Sequence, residues 1–183
     1  MIGMEFLSRT LQASGLAVTE HPELSTVSFT HEGEQRSWEV FCRARHPVPQ
    51  VMVYSLHPWI VPADRRLAMM ELLTRANYGL VIGNFELDPD DGELRFKTSI
   101  DFGSDRLSGE VLARLIQHNV DAFEQYLPAV EAVIAGGDDL LRLLEQVESS
   151  APDAGWGIPD DLDDLDLDRI DDEVDPGEQD AIR

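Results

Sequence analysis

Apolar and polar residues alternate with a period of two over residues 37–45. Successive side chains of a β-strand point to opposite faces, so this alternation predicts a strand with one buried face. The apolar side carries Trp38, Val40, Cys42 and Ala44. The opposite side carries Phe41 and three charged residues, Glu39, Arg43 and Arg45. A short strand is predicted at Thr26–Thr30 and a nearly all-apolar strand at Gln50–Leu56, which gives a meander of three antiparallel strands.

A spacing of three to four residues predicts helices elsewhere. Residues 3–14 predict a first helix, which Gly15 ends. Pro58 and Pro62 end the strand region and start a central helix, because proline is tolerated in a first helical turn. This helix is predicted over about Ala63–Tyr78. Its predicted buried stripe is Met70, Leu73 and Ala76, whereas Arg65, Arg66 and Glu71 are expected in solvent.

The longest helix is predicted from its cap residue Ser108 through Gln125, with a continuation to Ala135. Its apolar residues form a seam typical of coiled coils: Ile116, Val120, Phe123, Leu127, Val130 and Ile134. Such a seam packs either on the protein's own sheet or against a second copy. Pro128 lacks a backbone donor, so we expect a kink or break at Leu127. After Gly136-Gly137, Asp138 is predicted to cap a last short helix.

Two further strands, Leu80–Leu87 and Glu93–Ile100, flank an Asp- and Gly-rich segment at 88–92. Aspartate and glycine supply the backbone conformations of tight turns, which predicts a hairpin. A calcium loop is the alternative, but an EF-hand needs a longer ligand series between two helices. The complete pattern predicts an α+β fold, with an antiparallel sheet packed against helices in the order α-β-β-β-α-β-β-α-α.

Charge divides the chain into two parts. The formal net charge is −22 over 183 residues, and residues 151–183 carry half of it, with 13 acidic residues against Arg169 and Arg183. A segment so acidic lacks the apolar surface that would offset the entropy of ordering it. We therefore predict an α+β domain at 1–150 and an acidic, disordered tail at 151–183.

The same charge limits the partners. A strongly acidic chain repels phosphate backbones and anionic lipid, so neither nucleic acid nor a membrane is expected. Cys42 is the single cysteine and cannot form an internal disulfide, which is typical of a reducing compartment. With neither a signal peptide nor an apolar run of spanning length, we expect a cytoplasmic protein.

Catalytic and metal-binding patterns are missing from the sequence. The five histidines are scattered singly, without the pair spacing of a local zinc site. Cys42 lies on the apolar face of its predicted strand, where a thiol acts as a small hydrophobic group. The sequence contains no GxSxG, GxxxxGK[ST] or GxGxxG motif. We therefore expect no catalytic residues, no metal and no cofactor.

The tail combines aspartates with large apolar residues. Trp156, Ile158, Leu162 and Leu165 are of the type that anchors a disordered segment on a binding partner. One interpretation is a docking segment, and the other is a tail that only adds solubility. If the tail docks on its own domain, it would bind the local clusters of basic residues there, which are Arg43, Arg45, Arg65 and Arg66.

Three segments resemble the YbjN family of bacterial proteins. They are VYSLHPWIVPADRR, ELLTRANYGLVIGNFELDPDDGELRFKTSID and HNVDAFEQYLPAVEAVI, and the resemblance covers about residues 36–147. Members are labelled sensory transduction regulators, and their fold is similar to that of class I type III secretion chaperones. The resemblance provides no catalytic residues to transfer. It implies a homodimer, formed through the long or the central helix, with sheet and helix surfaces for an extended peptide.

The sequence therefore favours a noncatalytic, chaperone-like or regulatory protein that binds a protein or peptide partner. The acidic tail would tune solubility or dock on the binding surface. The alternative is a small-molecule sensor or an enzyme of unrecognised type, with a groove beside the central helix. A concave pocket with convergent polar groups would favour that alternative.

Overall fold

The computed structural model describes residues 3–104 and 107–149. The helices are α1 (Met4–Ala13), α2 (Arg66–Gly79), α3 (Gly109–Ile134) and α4 (Leu140–Ser149). The strands are β1 (Thr19–His21), β2 (Thr26–Glu32), β3 (Ser37–Arg45), β4 (Gln50–Leu56), β5 (Asn84–Leu87) and β6 (Leu94–Asp101). Short 3₁₀ turns precede β2 and α2, at Pro22–Leu24 and Ala63–Arg65.

The strands form one antiparallel sheet in the order β1-β2-β3-β4-β6-β5. The predicted meander forms its centre, where Val27 pairs with Cys42 and Cys42 with Val53. The predicted hairpin follows as β5 and β6. Its turn is closed by the amide of Asp88, which donates to the carbonyl of Glu93 at 2.8 Å, and by the amide of Gly92, which donates to the carbonyl of Asp88 at 2.9 Å. Gly92 has a φ of +88°, a value that favours glycine. The predicted α+β fold and its element order are confirmed.

The helices pack against the face of the sheet that carries Val40 and Cys42. α1 contacts β2 and β3, whereas α3 contacts β4 and β6. The seam of α3 is buried within this layer, except that Ile134 is half-buried. The long helix therefore packs on its own domain. Within residues 3–104 and 107–149, no helix is long and apolar enough to cross a membrane.

Of the two alternatives predicted at Leu127, a kink or a break, the break is wrong, because one helix continues through Pro128. Proline removes a single backbone hydrogen bond. The residues around it compensate, since Leu127, Ala129 and Val130 are all buried in the core. Ser108 caps the helix as predicted, accepting a hydrogen bond from the amide of Val111 at 3.2 Å.

Three local predictions differ from the structure. Strand β1 was not predicted, because it has only three residues and shows no apolar alternation. On α2, Met69 is buried and Met70 is exposed. At the start of α4, the carboxylate of Asp139 accepts from the amide of Arg142, whereas Asp138 accepts from the guanidinium of Arg65. Asp138 is therefore an ion-pair partner and not the predicted cap.

Candidate functional site

The face of the sheet opposite the helices is open. On β3, the burial pattern alternates so that Glu39, Arg43 and Arg45 are exposed and Phe41 is half-buried. Three apolar residues of β4 share this side and are also half-buried: Met52, Tyr54 and Leu56. Arg95 and Lys97 extend it onto β6. We define the outer sheet face by its residues on β3, β4 and β6: Phe41, Arg43, Arg45, Met52, Tyr54, Leu56, Arg95 and Lys97.

The register of the strands makes the apolar part of this face continuous. Phe41 lies beside Tyr54, and Tyr54 lies beside Lys97. The hydroxyl of Tyr54 is 3.2 Å from the sulfur of Met52, and the guanidinium of Arg95 lies 5.0 Å from the centre of the Tyr54 ring. Aromatic rings flanked by cations are common anchors in protein interfaces. The outer sheet face therefore has the chemistry of a binding surface.

The cations at the β6 side are neutralised within the face. Glu86 accepts from Arg95 at 2.7 Å and also from Lys97. Partial burial of Glu86 opposes its ionisation, but these two donors outweigh that effect and lower its pKa. The side chain of Arg43 differs, because it makes no hydrogen bond or ion pair within the described parts of the chain. Arg45 donates to the amide oxygen of Gln50 at 3.2 Å.

The four arginines predicted as a docking surface for the tail lie in two different places. Arg43 and Arg45 are both on the outer sheet face. Arg65 and Arg66 are not solvated as predicted, since both are half-buried at the start of α2. Arg65 donates to the carbonyls of Val133 and Gly137 at 2.9 and 3.0 Å, and so joins α2 to the end of α3.

Arg66 holds the β5–β6 turn in the same way. It donates to the carbonyl oxygens of Pro89, Asp90 and Asp91, each at 2.9 Å. These oxygens are of the kind that binds calcium, and here an arginine occupies them. The segment is therefore the predicted hairpin turn. Among the described residues, no group of three or more His, Cys, Asp or Glu side chains could hold a metal ion.

The β5 edge of the sheet is closed to an added strand. Asn77 of α2 accepts from the amide of Phe85 at 2.7 Å and donates to its carbonyl at 3.1 Å. These are the groups that a further strand would pair with. The opposite edge is β1, which offers only the three residues Thr19–His21. The open face, and not an edge, is therefore the larger accessible surface of the sheet.

Two further candidate groups, Cys42 and His57, are packed into the core. Cys42 is buried, and burial raises the pKa of its thiol to about 12, so it behaves as the predicted small hydrophobic group. His57 is buried beside Trp59 and Phe123. The predicted tail anchors Trp156, Ile158, Leu162 and Leu165 lie outside the described residues.

Sequence reasoning identified Arg43, Arg45 and Phe41 on one strand side but missed the apolar residues of β4. Gln50–Leu56 is nearly all apolar, which is typical of a strand buried on both faces. The signal that could have revealed these β4 residues was the polar and charged side of β3. Directly opposed residues on neighbouring strands lie on the same face of the sheet, so the β4 residues opposite that side also lie on the open face. An apolar strand beside Glu39 and Arg43 must expose part of its apolar surface.

Comparison with known proteins agrees with this architecture. The family model of YbjN, described as "Putative bacterial sensory transduction regulator", matches residues 5–132. The chain belongs to the YbjN family. A crystal structure of YbjN from E. coli, called "a putative transcription regulator", superposes with a TM-score of 0.53 at 11% identity, covering 81% of this chain and 94% of that chain. No curated protein matches the sequence.

Proposed function

We propose that this chain is a noncatalytic regulator of the bacterial cytoplasm that binds an extended polypeptide segment across its outer sheet face. The observation that carries the proposal is the half-buried strip of Phe41, Met52 and Tyr54, which no helix covers. Large apolar side chains on an open surface are characteristic of interaction sites. Membership of a regulator family supports a role of this kind.

The charges beside the strip indicate the chemistry of the partner. Arg43 has no carboxylate partner within the described residues, and Arg45 bonds only an uncharged amide among the contacts of its side chain. A bound carboxylate would therefore gain a charge-assisted hydrogen bond without displacing an existing ion pair. We expect a segment in which apolar residues alternate with aspartate or glutamate. The closed β5 edge favours binding on the face over strand addition.

The acidic tail has this composition itself. Residues 151–183 combine Trp156, Ile158, Leu162 and Leu165 with 13 acidic residues. About 30 residues of extended chain can reach ~100 Å, which exceeds the width of a small domain. We propose that the tail occupies the outer sheet face until a partner displaces it. The tail would dock on Arg43 and Arg45, because the side chains of Arg65 and Arg66 already donate hydrogen bonds to backbone carbonyls.

A photo-crosslinking amino acid in place of Phe41 tests the face. The full chain is exposed to a bacterial extract, and crosslinked polypeptides are mapped by mass spectrometry. The control carries the same group at Gln117, which is exposed on α3. We expect recurrent acidic, apolar peptides at position 41 that Arg43→Glu abolishes. Equal products at both positions, or none at position 41, would refute binding at this face.

The tail needs a separate measurement on pure protein. Without extract, the group at position 41 should crosslink to residues 151–183 of the same chain. A chain ending at Ser150 should then show altered amide chemical shifts at Arg43 and Arg45 relative to the full chain. Unchanged shifts there would contradict tail docking. Binding of partners at the face would be unaffected by that result.

A further inference from the structure

The turn between β2 and β3 is attached to helix α3 at one end of the domain. Arg36 of the turn forms an ion pair with Glu131 of α3 at 2.5 Å, and both side chains are largely buried. The amide of Glu34 donates to the carboxylate of Glu124 on the same helix. A Cβ atom at Gly33 would meet that carboxylate at 2.5 Å, which shows how closely the turn packs. Two separate contacts therefore hold the β2–β3 turn on α3.

Arg36 also contacts the segment that follows β4. Its guanidinium lies 4.0 Å from the centre of the Trp59 ring, and that ring stands edge-on to the imidazole of His57, with 5.7 Å between the ring centres. His57 is buried, and the charges of Arg36 and Glu131 both act on its ring. These four side chains therefore form one cluster. We call Arg36, His57, Trp59 and Glu131 the turn latch.

The turn latch contains a buried acceptor that lacks a donor. Oε1 of Glu131 has no hydrogen-bond partner among the described residues, although it is paired by charge with Arg36. Nδ1 of His57 lies 2.8 Å from the carbonyl of Trp59 and farther, at 3.3 Å, from its amide. A carbonyl only accepts, so Nδ1 carries the proton of the neutral ring and Nε2 has only a lone pair. Nε2 therefore becomes a donor for Glu131 only when the ring gains a second proton.

A second proton on His57 acts on both of its charged neighbours. It places a positive charge near Arg36, which repels the guanidinium, and it supplies an N–H that the carboxylate of Glu131 accepts. The other groups against the ring are aromatic, Trp59 on its own segment and Phe123 on α3. Nε2 has no hydrogen-bond partner among the described residues, so Glu131 must turn away from Arg36 to bond it. Burial lowers the pKa of His57, so at pH 7.5 the ring is neutral and the ion pair is kept.

We propose that the turn latch is a pH-sensitive switch, in which protonated His57 bonds Glu131 in place of Arg36 and so releases the β2–β3 turn from α3. With the ion pair broken, the turn keeps only the bond from the amide of Glu34 to Glu124, which is exposed to solvent. The sheet itself keeps its pairing, because β2 and β3 are joined along their whole length. The switch lies on the helix side of the sheet and is independent of the function proposed for the outer sheet face.

NMR spectra of the full chain between pH 7.5 and pH 5.5 test the switch. We expect the amide signals of Gly33 and Glu34 and the indole signal of Trp59 to shift together with one midpoint, while the amides of the central strands stay in place. The amide of Gly33 donates to the carbonyl of Arg36 at 3.0 Å, and its protection from hydrogen exchange should fall by about tenfold at the lower pH, after correction for the intrinsic rate. Turn signals that stay constant while the ring of His57 titrates would overturn the proposal.

Replacement of His57 separates the switch from other effects of acid. His57→Asn should abolish the shifts, because asparagine keeps a donor near the Trp59 carbonyl but does not titrate. His46→Asn is the matched control and should leave the shifts intact, since His46 lies in the β3–β4 turn at the other end of these strands. Shifts that persist in His57→Asn would show that another group titrates and would overturn the proposal.

Replacement of Glu131 tests the exchange of partners. In Glu131→Gln the ion pair with Arg36 is lost at every pH, so the β2–β3 turn should already be weakly protected at pH 7.5 and should no longer respond to acid. A turn as well protected as in the natural chain would overturn the proposal. This variant keeps His57 and therefore also tests the switch if His57→Asn does not fold. Unchanged amide signals of the central strands verify that each variant is folded.

Discussion

The amide oxygen of Asn119 on α3 accepts a hydrogen bond from the hydroxyl of Ser55 on β4 at 2.7 Å, in the centre of the core. Ser55 in turn accepts from the indole of Trp38 at 2.9 Å. The amide nitrogen of Asn119 donates to the carbonyl of Val53 at 3.1 Å and also lies within hydrogen-bond distance of Phe96 and Thr98. Asn119 therefore fixes the position of α3 over two strands.

Replacement of Asn119 by alanine should destabilise the protein markedly. The change leaves the Ser55 hydroxyl without its buried acceptor and opens a small void, which together cost about 1–3 kcal/mol. Gln117→Ala is the matched control on the same helix, because Gln117 is exposed and bonds only Asp121 among its side-chain contacts. Urea unfolding measures both variants. Equal midpoints for the two would contradict this role for Asn119.

Asn119 also shows where sequence reasoning ends. The apolar spacing of Ile116, Val120 and Phe123 was sufficient to predict the buried side of α3. A buried polar residue within that side follows no periodicity, since its partners Ser55 and Val53 come from a strand more than sixty residues away. Local patterns predict elements and their faces, whereas long-range hydrogen bonds require the packed structure.

The central helix illustrates a second limit. Residues 66–79 are apolar on nearly all sides, so spacing alone did not decide between Met69 and Met70 as the buried residue. The buried side of a helix can be predicted when the helix has one apolar stripe. α2 has a second apolar stripe, with Leu67 and Tyr78, so its buried side could not be assigned from spacing alone. The outer sheet face posed the same difficulty. Its apolar residues on β4 could not be separated from the core by pattern, because both faces of that strand are apolar.

Removal of the Asn77 side chain should reopen the β5 edge. Asn77→Ala deletes both hydrogen bonds to the backbone of Phe85, at a cost of about 1–2 kcal/mol. Exposed edge groups also promote pairing with other chains, so aggregation on heating should increase. Urea unfolding and light scattering measure the two effects. Asn84→Ala serves as the control, since its side-chain bonds are long, at 3.4 Å. Comparable behaviour of both variants would show that Asn77 does not protect the edge.

Arg65 should be required for the junction between α3 and α4. Arg65→Ala removes its bonds to Val133, Gly137 and Asp138, and we expect a loss of about 1–3 kcal/mol. Arg65→Lys should not restore stability, because a single ammonium cannot reproduce the fork of the guanidinium. Arg114→Ala provides the control, as Arg114 is exposed on α3. Thermal unfolding measures all three variants, and full rescue by lysine would indicate that charge alone matters.

His57 should make stability depend on pH. Burial lowers its pKa, and Arg36 acts in the same direction, whereas the hydrogen bond to the Trp59 carbonyl at 2.8 Å and the charge of Glu131 oppose the shift. Nε2 has no hydrogen-bond partner among the described residues, so protonation there adds a buried N–H group without an acceptor. The folded form therefore favours the neutral ring.

A folded-state pKa below the unfolded value of about 6.5 means that this stabilisation is complete above that pH. It is lost as the pH falls from about 6.5 through the lower pKa of the folded form. We expect the urea midpoint to decrease between pH 7.5 and pH 5.5 more steeply in the natural chain than in His57→Asn, which keeps a donor near the Trp59 carbonyl but does not titrate. Because the carboxylates are common to both proteins, their contribution cancels in the difference. Parallel pH profiles of the two proteins would show that His57 is not the titrating group.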